Sequence, residues 1–454
     1  MAEPTSVSCE QELHELEYLL WGPEVRSDIF KRWSQGFQFS ITEKSALQQN
    51  EGGPCAIIAP VQAFIIKNML SDCEEPNLIN NISEDKRNEL LVQAMCEILH
   101  QCNVSKFRLV SQNIKPNQNS LSPVSSRDNS EPDVLLTNAE VPQLPDEISS
   151  DISIDSAQFH SRLNIQTYTS IIDVEKYYLD NIQLLQSQYG VLLFLYSVLA
   201  TKGIDNVKIE LSDTSESLIH ETYGYGSQGL INLMITGRAV AHVWDNEQDI
   251  GGLKLRGIDR QSQIGFITLM EHMRYCTVGS FYKNPKHPVW VLGSETHLTV
   301  LFSTEKKLVS PESASERARR IFKSYDPEGN NFISSVLLQD VLTELDLVSE
   351  SDYVNIMKKK LDPENLGIIL LHAFMDEFYP KEESSTPDTF PLMHYNGLIR
   401  SNPEGKIKYN VGMAVLLECE LKSICDSNPM LTCLQTKWPS IEVNWTSVKT
   451  PSLN

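Results

Sequence analysis

The segment Gln49-Asn50-Glu51-Gly52-Gly53-Pro54-Cys55 runs directly into AIIAPVQAFIIKNML, and this junction constrains the fold of the 454-residue chain more than any other. A Gly-Gly-Pro turn cannot continue a regular element, whereas the largely apolar residues after it must be buried, and their length suits a helix. The turn therefore delivers a cysteine to the first turn of a core helix. Unpaired N–H groups at such a helix start carry partial positive charge, which favours the thiolate, the form that attacks carbonyls. Gln49, six residues before the cysteine, adds a carboxamide that can join the backbone N–H of Cys55 in holding an oxyanion. The plain alternative is a buried core thiol beside a turn. The glutamine spacing and a suitable histidine downstream favour the nucleophile. Pro60 lacks an N–H, so a kink or a short first turn is expected there.

Length and 41% apolar content allow two or three domains with a sizeable core. A formal net charge of -22 argues against a phosphate-binding or anionic-membrane surface and suits a basic protein partner, though a solvated acidic loop gives the same number. Nucleic acid and membrane are accordingly not expected as partners. Nine scattered cysteines show neither metal-ligand spacing nor a disulfide framework. The start, MAEPTSVSCEQELHEL, is polar and acidic, without the pattern of a signal peptide. The apolar run VLLFLYSVLA from Val191 is too short to span a bilayer. The expected setting is cytoplasmic, nuclear or both, and not secreted; no compact basic cluster marks nuclear entry.

The expected fold class is α+β, with a helical lobe carrying the thiol and an antiparallel sheet lobe carrying the base, the division found in papain-like cysteine proteases. Residues 1–112 form the first part of that domain. LHELEYLLWG and KRNELLVQAMCEILHQC read as helices there. Residues 113–157 are rich in Ser, Asn, Pro and Asp and read as a disordered insertion. Residues 158–308 resume the core with the buried helix GVLLFLYSVLATKG and the strands IGFITLM, PVWVLG and HLTVLF. Residues 309–380 contain an internal repeat, ERARRIFKSYDPEGNNFI and YVNIMKKKLDPENLGIIL, with Asp326 and Asp362 thirty-six residues apart. Residues 381–454 carry CLQTKWPSIEVNW, whose alternation reads as a strand completing the sheet.

His297, in SETHLTVLF, is the leading base, because a residue at a strand start projects from the sheet end into a cleft. A strand histidine bonded to a carbonyl is the plain reading. His242 in AVAHVWDN ranks second, and His287 reads as an exposed loop residue. The group orienting the base stays open: Thr299 and Glu295 share its strand face, and a more distant Asn or Gln serves equally well. Gly224-Tyr225-Gly226-Ser227-Gln228-Gly229 spells G-x-G-x-x-G, with Asp245 downstream, but no buried strand precedes it. A turn before a packed helix fits better, and no cofactor is expected.

The repeat resembles a pair of EF-hands. Asp326, Glu328 and Asn330 suit ligand positions one, three and five of the first loop. Asn331 stands where glycine belongs and Leu337 where the bidentate glutamate belongs. The second loop keeps Asp362, Glu364 and Gly367 but has Leu366 at position five and Ala373 at twelve. Loss of the position-twelve carboxylate removes useful calcium affinity, so a metal-free pair is expected.

Taken together, DIFKRWSQGF, QNEGGPCAIIAPVQAF, GVLLFLYSVLATKGI, YGYGSQGLINLMITGRAV, VGSETHLTV and CLQTKWP occur in an order that resembles the MINDY family of deubiquitinases. The closest likeness is to the branch with an EF-hand-like insertion. The resemblance implies Cys55 as nucleophile, His297 as base and Gln49 as oxyanion stabiliser. The elbow reads Glu-Gly-Gly-Pro-Cys where other branches carry Asn-Gly-Pro-Cys. It also implies polyubiquitin as substrate, with trimming of lysine-48-linked chains. A basic ubiquitin tail ending in two glycines calls for a narrow, partly acidic channel, for which Trp33, Phe37 and Phe39 are candidate walls. Two other readings remain: a catalytically silent scaffold that binds ubiquitin chains, and a calcium-responsive adaptor.

Overall fold

The computed structural model describes residues 9–72, 82–102, 104–112, 155–310, 313–326, 329–380, 386–417, 428–447 and 449–454. Nearly all of the expected insertion 113–157, and Glu328 of the first repeat loop, lie outside them.

Three helices build the centre. Cys55–Asp72 follows the Gly-Gly-Pro turn, and its residues 55–69 are all buried. Pro60 does not interrupt it. Only the bond to the Ala56 carbonyl is lost, and the N–H groups of Ile57 and Ile58 both reach the Pro54 carbonyl at 2.9 Å. Glu84–Gln101 is capped by Ser83, whose hydroxyl accepts from the Lys86 N–H, and packs one apolar face on the first helix. Gly190–Lys202 is buried at every residue, as a helix apolar on all sides must be. Among the described residues no single helix is long and apolar enough to cross a membrane.

A six-stranded sheet lies against this helical layer. Its strands are β1 (Gly265–Thr268), β2 (Val289–Gly293), β3 (Leu298–Phe302), β4 (Thr389–Tyr395), β5 (Asn410–Leu416) and β6 (Ile441–Trp445). They lie side by side in chain order. All neighbours are antiparallel except β1 and β2, which run parallel, so the expected antiparallel sheet has one parallel edge. The link from Thr268 to Val289 carries two short helices, Leu269–His272 and Ser280–Lys283, and so re-enters the sheet from the same end.

Successive side chains alternate between the faces. Val291, Val300, Phe302 and Tyr395 join the main core with the Cys55 helix. Trp290, Leu292, Leu301 and Leu392 join a second core under Met430, Leu434, Trp438 and Leu453. The expected strand over CLQTKWPSIEVNW is thus only half right. Pro429–Gln435 is a helix started by proline and the Asn428 cap, and the strand begins at Ile441.

β3 and β4 are antiparallel neighbours that a tight turn could join, yet residues 303–388 intervene. Within them, helices Ala314–Ser324, Leu338–Glu344, Ser351–Leu361 and Leu371–Phe378 enclose their own core around Phe322, Ile333, Ile369 and Phe374. The two loops of this pair zip together antiparallel, Phe332–Ser334 against Ile368–Leu370.

Candidate active site

Cys55 is the first residue of its helix, and its side chain is almost fully buried. Gly53 turns the chain into it with a φ of 127°, where a Cβ would lie 2.8 Å from the Trp33 indole nitrogen. That nitrogen donates to the Gly224 carbonyl at 2.9 Å. Gly226 in turn lets its backbone approach the helix start, since a Cβ there would meet Ala56 Cβ at 2.5 Å. The glycine run 224–229 is therefore a spacer holding the elbow, followed by the Ser227-capped helix Gln228–Thr236. Asp245 is not a ribose acceptor: its carboxylate takes the Ser280 and Phe281 N–H groups at 2.8 and 3.0 Å.

The expected resting thiolate is not what burial favours. The N–H groups of Leu298 and Ala56 point at the sulfur and pull its pKa down, but desolvation outweighs them and pushes it up to about 11. The thiol donates to the Gly53 carbonyl at 3.6 Å.

His297 immediately precedes β3, so the Leu298 amide aimed at the thiol belongs to the next residue. His297 is 5% exposed, and burial lowers its pKa to about 4. A hydrogen bond donated to Asn396 raises it and the nearby Arg400 guanidinium lowers it further. Its backbone is fixed by Ser294: the His297 N–H reaches Ser294 Oγ at 3.0 Å, and the Ser294 N–H reaches the His297 carbonyl at 3.0 Å.

Asn396 is the side chain bonded to the imidazole, 3.0 Å from His297 Nε2 through Oδ1. It lies just past β4 and is buried. Its Nδ2 donates to the carbonyls of Ser452 and Asn454 at 3.1 and 3.4 Å, and Oδ1 also accepts the Leu398 N–H at 3.0 Å. Of the other candidates, Thr299 is buried with no partner for Oγ1 among the described residues, and Glu295 is exposed. The only sequence signal at Asn396 is an Asn-Gly turn after a strand.

Gln49 stitches the elbow to the Asn396 loop. Its N–H reaches the Gly397 carbonyl at 2.7 Å and its carbonyl takes the Ile399 N–H at 3.1 Å. Its carboxamide donates to the Glu51 carbonyl at 2.6 Å. The Nε2 group carries two protons, so one holds this bond and the other is left for an oxyanion.

A cleft of about 320 Å³ reaches His297 and is bounded by Glu51, Gly52, Tyr225 and two arginines, Arg32 and Arg400; Cys55, Gln49 and Asn396 are not among its walls. Two cations against one carboxylate contradict the expected acidic channel at this point. Trp33 and Phe37 are not walls either: both are fully buried in the core, Phe37 edge-on to Phe194. Phe39 lies half-buried beside the Arg87 guanidinium. Tyr225, stacked on Tyr223 at 6.2 Å, supplies the aromatic rim. His242 stacks flat on Trp244 at 4.0 Å and does not line the cleft. His287 is half-buried rather than exposed, its pKa lowered first by desolvation.

Among the described residues no group of three or more His, Cys, Asp or Glu is arranged to hold a metal. In the helical pair, Asp326 accepts the Asn330 and Asn331 N–H groups at 3.0 and 2.6 Å, and Asp362 those of Leu366 and Gly367 at 2.8 and 2.7 Å. Both carboxylates are thus engaged by their own loops. Asn331 takes the left-handed conformation (φ 59°) that glycine supplies in the second loop (Gly367, φ 78°).

The family described as "Deubiquitinating enzyme MINDY-3/4, conserved domain" matches residues 19–332. A Drosophila melanogaster protein named "Ubiquitin carboxyl-terminal hydrolase MINDY-3 homolog" is 56% identical, covering 98% of this chain and 83% of that one. The Homo sapiens protein "Ubiquitin carboxyl-terminal hydrolase MINDY-3" is 47% identical, covering 97% and 99%. "Probable ubiquitin carboxyl-terminal hydrolase MINDY-4" of Mus musculus is 27% identical over 69% of this chain and 39% of its own. No solved structure gives a significant match.

Proposed function

The chain belongs to the MINDY-3/4 family of deubiquitinating enzymes, and from that membership and the geometry around Cys55 we propose that it is a thiol isopeptidase acting on polyubiquitin. The observation that carries the reading is the His297–Asn396 bond beside a helix-start cysteine. Asn396 Oδ1 can only accept, so Nε2 holds the proton and Nδ1 is left as the base. The Cys55 thiol passes its proton to Nδ1 as sulfur attacks the isopeptide carbonyl. The Cys55 N–H and the second Nε2 proton of the Gln49 carboxamide hold the oxyanion. The imidazolium protonates the leaving lysine amine, giving a thioester. Water, deprotonated by His297, then hydrolyses the thioester to a carboxylate and free thiol.

The proposal includes trimming of lysine-48-linked chains, motivated by the family likeness. It also includes a papain-like division of labour, supported by a thiol on the helical layer and a base on the sheet. We read residues 309–380 as an EF-hand-like insertion that works without calcium. The paired loops and the position-six geometry support the likeness, and Leu337 and Ala373 at position twelve support the lack of calcium. A reducing compartment, cytoplasmic or nuclear, suits a catalytic thiol. The test is cleavage of lysine-48- and lysine-63-linked tetraubiquitin by the purified chain and by Cys55→Ala. Faster shortening of the lysine-48 chains, lost in the variant, supports the reading. Tight chain binding without cleavage by either protein overturns it in favour of a scaffold.

A further inference from the structure

We propose that residues Ser452–Asn454 act as a positioning strap for the base, fixing Asn396 and through it the tautomer of His297. The inference rests on the hydrolase reading only for its kinetic consequences.

Asn396 is too short to orient a ring by itself unless its own amide plane is fixed. Oδ1 is shared between His297 Nε2 and the Leu398 N–H, which leaves Nδ2 with two protons to place in a buried site. The acceptors are the Ser452 and Asn454 carbonyls. If they are removed, only the Leu398 N–H still selects this orientation, and a flipped amide, with Nδ2 toward the imidazole and Oδ1 away, becomes accessible as a second population. That flip turns the acceptor facing His297 into a donor, so the ring must carry its proton on Nδ1, the nitrogen needed as base.

The same strap reaches the other side of the histidine. The single proton of Ser294 Oγ is shared between Asn454 Oδ1 at 2.5 Å and the His297 carbonyl at 3.1 Å, while the oxygen accepts the His297 N–H. The strap is anchored by Leu453, buried between the sheet and the helix Pro429–Gln435, while Ser452 and Asn454 stay exposed. Asn454 also lines the catalytic cleft. A segment more than fifty residues from Asn396 in sequence therefore touches both supports of the base.

The test compares the full chain with variants lacking residues 452–454, with Asn396→Ala, and with both changes combined. One readout needs no substrate: nitrogen-15 shifts of the His297 ring at neutral pH. The intact chain shows a single Nε2–H tautomer, whereas the shortened chain shows a mixture with Nδ1–H, as does Asn396→Ala. On ubiquitin chains, shortening lowers kcat about tenfold with KM within about twofold, and adds less than about twofold to the loss already present in Asn396→Ala. If shortening prevents folding, Leu453→Ala loosens the anchor and gives the same tautomer mixture in smaller proportion. An unchanged tautomer in a folded, shortened chain overturns the proposal, as do losses that multiply in the combined variant. A chain that cleaves no ubiquitin but shows the tautomer change overturns the hydrolase reading and leaves the strap intact.

Discussion

His297 Nε2 lies 3.0 Å from Asn396 Oδ1, although the two residues are ninety-nine positions apart and flank an independently cored helical pair. β3 and β4 pair directly, so the loop leaving one and the loop entering the other meet at the same sheet end. Asn396→Ala should lower kcat about tenfold to a hundredfold, part of what a positioned general base contributes, with KM little changed. Asn396→Asp should do something different. A carboxylate beside the ring favours the imidazolium, so the acid limb of the pH–rate profile should move to higher pH.

The resting pair is a neutral thiol beside a neutral imidazole. Cys55 sits at about 11 and His297 at about 4, both moved chiefly by burial. Alkylation of Cys55 by iodoacetamide, followed by peptide mass mapping because Cys9 is exposed, should therefore rise about tenfold per pH unit across the neutral range. A plateau beginning below neutrality would mean a preformed thiolate–imidazolium pair.

Acid should unfold the protein through its buried histidines. His297 and His394 are held neutral, at about 4 and about 3, against 6.5 in the unfolded chain. Their neutral burial contributes fully above pH 6.5 and is lost as pH falls toward those values, about 1.4 kcal/mol per pH unit for each group. Neither ring nitrogen of His394 has a partner among the described residues. His394→Leu should thus be neutral or stabilising by about 1 kcal/mol at pH 7, and should halve this slope in urea titrations run between pH 6 and 4.5.

The local part of the site was legible in the sequence, and the long-range part was not. Cys55, Gln49 and the helix they open follow from seven contiguous residues and the apolar run after them. His297 follows from its place before an apolar strand. Asn396 depends on which strands pair across the insertion, and no local pattern carries that. Trp33 and Phe37 lie near the elbow in sequence but face the core. Periodicity predicts burial without saying whether the buried face borders a cleft. The thiol was misjudged because a helix start is visible in sequence, whereas the desolvation opposing it comes from burial that only the tertiary packing reveals.

The helical pair should ignore calcium. Calorimetric titration should give no binding heat at millimolar calcium, because Leu337 and Ala373 supply no carboxylate. Asp326→Ala should instead destabilise the pair by about 2 kcal/mol, since two backbone N–H groups lose a charged acceptor. A calcium-dependent rise in melting temperature would contradict the metal-free reading.

The central claim is that Cys55 is the nucleophile and His297 its base. The direct measurement is reaction of the full chain with ubiquitin bearing a C-terminal electrophile, followed by mass mapping of the adduct. The account predicts one ubiquitin per chain, attached at Cys55, formed at least about a hundredfold more slowly in His297→Ala. An adduct on another cysteine, or equal rates with and without His297, would contradict it.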